Sequence, residues 1–107
     1  LNDAGDDVMY LGSNEQGGFI GIKNNLNKQT TYLGTNNIGN GELSIWNVLQ
    51  NQSLFLGATT SGDGRLVIND YLGNQNVFAG SRDGEGFVAT TNSDMKTTGS
   101  MPVYKNK

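Results

Sequence analysis

Aliphatic residues alternate with small or polar ones in short runs, and the runs recur along the chain. After Gly18, Gly41 and Gly64 the second and fourth positions are aliphatic: Ile20/Ile22, Leu43/Ile45 and Leu66/Ile68. After Gly86 they are Val88 and Thr90. A spacing of two is the period of a β-strand with one apolar face. Between each pair sits a smaller residue, Gly21, Ser44, Val67 or Ala89. A second run alternates in the same way, with Met9/Leu11, Thr31/Leu33, Leu54/Leu56 and Val77/Ala79 on one face and Tyr10, Tyr32, Phe55 and Phe78 opposite. These runs close on Gly12, Gly34, Gly57 and Gly80, at intervals of 22, 23 and 23 residues. The series Gly18, Gly41, Gly64 and Gly86 keeps the same beat. A fixed period of this size means copied supersecondary units stacked on their neighbours. Each copy is predicted to hold two strands of roughly five or six residues.

The connections read as two kinds. One is Gly-rich: Gln16-Gly17-Gly18, Gly39-Asn40-Gly41, Gly62-Asp63-Gly64 and Gly84-Glu85-Gly86. Such spacing suits tight hairpin turns and their bulges. The other is polar around one recurring leucine, Leu26, Leu49 and Leu72, which reads as a lid over the end of the apolar face. Asp94 takes that place in the fourth copy, which reads as a degenerate cap. No stretch has a 3.6-residue apolar period, so no helix is expected. The chain divides into a tail over 1–7, the four-copy repeat domain over 8–98 and a tail over 99–107. The last holds the only proline, Pro102, with a short strand expected around Val103–Tyr104.

The fold class is all-β. Short, hairpin-like connections favour an antiparallel meander, since parallel pairing needs a longer route back. The alternative is a monomeric β-solenoid. A meander with one apolar face needs a cover, and no helix is available to supply it. The reading adopted is a homotrimer in which each chain forms one side of a triangular β-prism. Ile20, Ile22, Leu33, Leu43, Ile45, Leu54, Leu56, Leu66, Ile68 and Val88 are then the residues of the trimer core.

The pattern G-x-G-x-aliphatic-x-aliphatic-x-Asn, followed by aromatic-Leu-Gly, resembles the repeats of trimeric β-structured shafts in viral and bacteriophage tail fibres and related surface appendages. The match runs from Val8 to about Asn92, with departures at Thr31 and Thr90, which take inward positions. The resemblance implies an elongated spacer or host-contacting fibre at the virion or extracellular surface. Its partners would be further copies of the chain and neighbouring fibre or virion proteins.

Composition narrows the chemistry. Hydrophobic residues make up 35% of the 107, and Gly counts 16, which the repeat explains as turn residues. Net charge is −3 with both signs scattered, so no basic patch is offered to nucleic acid or an anionic membrane. No run of 18 apolar residues is present, and no membrane insertion is expected. The first residue is Leu1 rather than Met, which suggests a fragment or processed product and leaves a removed leader open. Cys and His are both absent, which removes thiolate sites, the commonest general base and the commonest transition-metal ligand. The carboxylates Asp63, Asp83 and Glu85, with Glu15 and Glu42 nearby, fall at turns, where Asp is favoured for its own backbone reasons. They match neither an EF-hand nor a nonapeptide Ca²⁺ repeat, so no metal or other cofactor is expected. No helix follows the Gly-rich turns, which excludes a phosphate loop. No catalytic residue and no enzyme activity is assigned.

The alternative function is a carbohydrate-binding or adhesive module. Tyr10, Tyr32, Phe55 and Phe78 recur on one face, with Trp46, Phe19 and Phe87 on the same side. Such a row suits sugar rings, although sheet stabilisation by cross-strand pairs, or a second packing layer, is the favoured reading of it. Trp46 stands out because Lys23, Asn69 and Thr91 hold its place in the other copies. Asn51-Gln52-Ser53 is a glycosylation sequon, relevant only in a eukaryotic secretory pathway.

Overall fold

The computed structural model describes residues 8–92, 94 and 96–101. The tail over 1–7 and the strand expected around Val103–Tyr104 lie outside the described residues. Nine strands form the fold: β1 (Met9–Asn14), β2 (Gly17–Lys23), β3 (Gln29–Thr35), β4 (Gly41–Trp46), β5 (Gln52–Ala58), β6 (Gly64–Asn69), β7 (Gln75–Arg82), β8 (Glu85–Thr91) and β9 (Thr97–Met101). They make one sheet in chain order, and every neighbouring pair is antiparallel. This is the expected meander. A solenoid would pair equivalent strands of successive copies in parallel. The ninth strand crosses the boundary drawn at residue 99, so residues 99–101 belong to the sheet and not to a tail.

The sheet is a single layer. Its extents are 59 × 29 × 14 Å and its radius of gyration is 16.6 Å. A compact chain of this length would have a radius near 13 Å. No described residue folds back to cover either face.

Register sorts the side chains into rows across the sheet. Leu11, Ile20, Leu33, Leu43, Leu56, Leu66, Ala79, Val88 and Met101 stand opposite one another in succession. A second row on that face runs Met9, Ile22, Thr31, Ile45, Leu54, Ile68, Val77, Thr90 and Gly99. On the other face aromatic and small residues alternate: Tyr10, Gly21, Tyr32, Ser44, Phe55, Val67, Phe78, Ala89 and Ser100.

The connections are more alike than their compositions suggest. The Gly-rich turns 36–40 and 59–63 and the leucine-bearing turns 24–28, 47–51 and 70–74 share one five-residue form. In each, the first residue's N–H donates to the carbonyl of the fifth, and the fourth residue's N–H donates to the carbonyl of the first. Asn24, Asn36, Asn47 and Asp70 head four of them, each accepting two further backbone N–H bonds through Oδ1. Asn92 accepts in the same way from the N–H groups of Asp94 and Lys96. The fourth position is left-handed, filled by Asn27, Gly39, Gln50, Gly62 and Gly73. Two-residue turns occur at Glu15–Gln16 and Asp83–Gly84. Both residues of the latter have positive φ, as a type I′ hairpin requires. Leu26, Leu49 and Leu72 are 57–70% exposed, so they are not lids within this chain.

Amide side chains stitch neighbouring turns of one edge together. Asn47 Nδ2 and Asn51 Nδ2 both donate to Tyr71 O, at 2.8 and 3.0 Å. On the opposite edge Asn40 Nδ2 donates to Thr59 O at 3.0 Å. The abundance of Asn therefore serves both the turns and the contacts between copies. In the sequon, the Asn51 nitrogen that would carry a sugar is already committed to Tyr71.

Asn47→Ala removes the two bonds accepted by Oδ1 and the one donated by Nδ2. At a net ~0.5–1.5 kcal/mol each, the expected loss is about 1.5–4.5 kcal/mol in denaturant unfolding. Asp70 carries the same turn with a charge, and its pKa lies below 3.8, chiefly because the Asn74 N–H bonds to the carboxylate. A lowered folded-state pKa adds stability above the unfolded value and loses it as pH falls through the folded one. Asp70→Asn keeps the turn and should flatten the fall of the unfolding midpoint below about pH 4.

Candidate functional site

The two faces of the ribbon differ in kind. On the aliphatic face Leu33 is 50% exposed, Leu56 48%, Val88 41%, and Ile20, Ile45 and Ile68 36–39%. Ile22, Leu43, Leu54 and Leu66 are half-buried between these neighbours. All ten residues expected in a trimer core therefore share one face, and no other part of the described chain covers it.

The buried positions lie on the opposite face. Gly21, Ser44 and Val67 are the buried residues among those described, each flanked by aromatics on both neighbouring strands. At Gly21 the contact is so close that a Cβ would stand 2.1 Å from Cζ of Tyr10. This is a ring lying over a cross-strand glycine, a known sheet-stabilising arrangement.

The expected aromatic row exists, but its members are half-buried and largely engaged with one another. Tyr10 meets Phe19 edge-on at 5.5 Å between centroids, and Phe19 stacks on Tyr32 at 5.8 Å. Phe78 stacks on Phe87 at 5.0 Å. The Tyr32 hydroxyl donates to Thr35 O at 2.8 Å. Trp46 is half-buried on β4 opposite Gln52, outside these ring pairs.

The centre of this face is built differently. Phe19 and Phe87 supply a second ring at the two ends, but Glu42 and Arg65 hold that register in the middle copies. Both flank Gly57, and the Arg65 guanidinium lies over the Phe55 ring at 5.0 Å. Here the surface holds a depression of about 440 Å³, lined by Glu42, Gln52, Phe55, Arg65, Val67, Asn69 and Gln75. Gln52 Nε2 donates to Ser44 Oγ at 3.0 Å, and Ser44 Oγ donates to Glu42 Oε2 at 3.2 Å. Asn69 Nδ2 donates to Gln52 O at 2.8 Å. Among the described residues, the buried side-chain atoms without a protein partner are Arg65 Nε and Asn69 Oδ1.

Sequence reading grouped Glu42 with the turn carboxylates and overlooked Gln52, Arg65, Asn69 and Gln75. The available signal was the break in repetition, a charge in each middle copy where the outer copies carry Phe. Asp63 and Asp83 sit in turns, Glu85 opens β8, and no group of three acidic residues gathers among the described residues. Searches against family models and curated proteins return no match for this chain.

Gly34→Ala should be costly. Its Cβ would fall 2.6 Å from Phe19 Cβ and 2.8 Å from the Gly18 carbonyl oxygen, atoms that cannot swing away. A loss of about 1–3 kcal/mol is expected. Gly21→Ala meets only the far end of the Tyr10 ring, which can rotate, so its loss should be smaller. Denaturant midpoints of the two variants test the ranking.

Proposed function

We propose that this chain is a structural repeat module of a fibre, virion or cell-surface appendage, an elongated spacer that associates with copies of itself. In this reading three chains form the sides of a triangular prism at the virion or extracellular surface. Their aliphatic rows meet on the common axis, and neighbouring fibre or virion proteins join at the ends. The observation that carries the reading is the open aliphatic face. Every strand contributes to it, and neither row contains a charged residue or an amide side chain.

Size supports the same conclusion. Nine strands spaced by about 4.8 Å carry the rows about 40 Å, two side chains wide. That is on the order of 600 Å² before side-chain relief, at the upper limit of apolar patches on monomeric proteins. Closed rotational symmetry would cover such a face on every chain at once.

Sedimentation equilibrium should give three times the 11.4 kDa chain mass. Ile45→Asp or Leu56→Asp should reduce it to the monomer or unfold the chain, because an unpaired charge would enter the shared core. A dimer would overturn the prism while keeping self-association. A cooperatively folded monomer, unfolding independently of concentration, would overturn both.

A further inference from the structure

We propose that the outer edge of β1 is a seat for one more strand of the repeat, of the kind that β2, β4 and β6 represent, brought by a second polypeptide. The seat goes beyond self-association through the aliphatic face and does not rest on it.

The glycines that close the aromatic-bearing strands carry the inference. Register sets Gly34 between Phe19 and Glu42, Gly57 between Glu42 and Arg65, and Gly80 between Arg65 and Phe87. Across strands, the crowding at all three comes from the preceding one. A Cβ would fall 2.8 Å from the Gly18 carbonyl oxygen at Gly34, 2.9 Å from that of Gly41 at Gly57, and 2.9 Å from that of Gly64 at Gly80. The following strand supplies none of the closest contacts at any of them. Gly12 has only a following strand, and its Cβ would meet the Phe19 ring at 3.6 Å, an ordinary contact. No described neighbour therefore requires glycine at 12. The requirement arises once a strand lies on the open side of β1 with its glycine carbonyl placed as those of Gly18, Gly41 and Gly64 are.

β1 is also unguarded. An edge strand exposes a row of N–H and C=O groups and is ordinarily blunted by charge, proline or a bulge. Met9–Asn14 carries no charge and no proline, and its pairing with β2 runs without a slip. No described strand pairs with its other side.

The same register defines the occupant. It reads Gly-x-aliphatic-x-aliphatic and runs antiparallel to β1, its aliphatics beside Leu11 and Met9 and the residue between them beside Tyr10. In this chain β2, β4, β6 and β8 are each paired on both sides. Neither 1–7 nor 102–107 contains that pattern. The strand comes from another molecule that carries the repeat. Such addition binds through the main chain and selects through alternate side chains.

The test is a titration of the ¹⁵N-labelled protein with a peptide of residues 62–70, which spans β6, and with a scrambled peptide of the same composition. Before peptide is added, alternate β1 amides should exchange fast, as on an open edge. The β6 peptide should slow that exchange and give saturable shifts centred on Met9–Asn14. Gly12→Ala should weaken binding tenfold or more, because its Cβ would meet the incoming carbonyl. Unlike Gly34→Ala, it should leave the unfolding midpoint unchanged or raised. It should also leave the assembled mass unchanged, since Gly12 stands beside Phe19 and away from the aliphatic rows. The proposal is overturned by slow exchange of every β1 amide before peptide is added, by no saturable shift, or by equal binding of the scrambled peptide. It is equally overturned by shifts centred on β9 or on the aliphatic rows, by undiminished affinity in Gly12→Ala, or by a lowered unfolding midpoint in that variant.

Discussion

One side-chain oxygen at the head of a turn holds two backbone N–H groups of the same turn, and the phase of the sheet depends on it. Asn24, Asn36, Asn47, Asp70 and Asn92 all act this way. A strand shifted by one residue would turn its whole aliphatic set to the other side. In a sheet without a second layer among the described residues, only the ring-over-small-residue contacts of the aromatic face help the turns resist such a slip. The turns must supply the specification that a core supplies elsewhere. Thr59 heads the remaining five-residue turn with a hydroxyl, paired with Ser61 Oγ at 3.0 Å, and keeps the same two backbone bonds.

With phase fixed, the two faces can specialise. The aromatic face covers itself: large side chains lie beside glycine or another small residue in both directions, and the smallest positions become the most buried. The aliphatic face has no such arrangement, because leucine stands opposite leucine or isoleucine across most of the sheet. One face is therefore covered by its own side chains, and the other is left open by the described residues. The depression at Phe55 lies on the aromatic face, where Glu42 and Arg65 take the register that Phe19 and Phe87 hold at the ends.

Much of this was legible in the residues. The two-residue period identified every strand from β1 to β8 and separated the faces correctly, because alternation in a half-open sheet is a direct projection of geometry onto sequence. β9 was missed, since Thr97-Thr98-Gly99-Ser100-Met101 carries almost no apolar signal and follows its neighbours only through pairing. The kinship of the turns was also missed. Glycine and leucine drew attention, while the asparagine that organises each loop reads as ordinary polar sequence. The aliphatic face was recognised from β1 to β8, without Met101 of β9. The depression was not, although Glu42 and Arg65 stand in the sequence where the outer copies carry Phe19 and Phe87.

The pairing slips by one residue at Ile22/Lys23, Ile45/Trp46, Ile68/Asn69 and Thr90/Thr91. Each slip is a bulge that bends its strand and increases local twist. All four fall toward the same long edge, and the Gly-rich edge has none among the described pairings. Deformations confined to one margin accumulate in a single sense instead of cancelling. Each added copy of 23 residues would then advance the ribbon by two strands, about 9–10 Å, and turn it by a constant increment. Gene duplication would thereby set both the reach and the overall twist of the ribbon, with no change to any contact inside a copy.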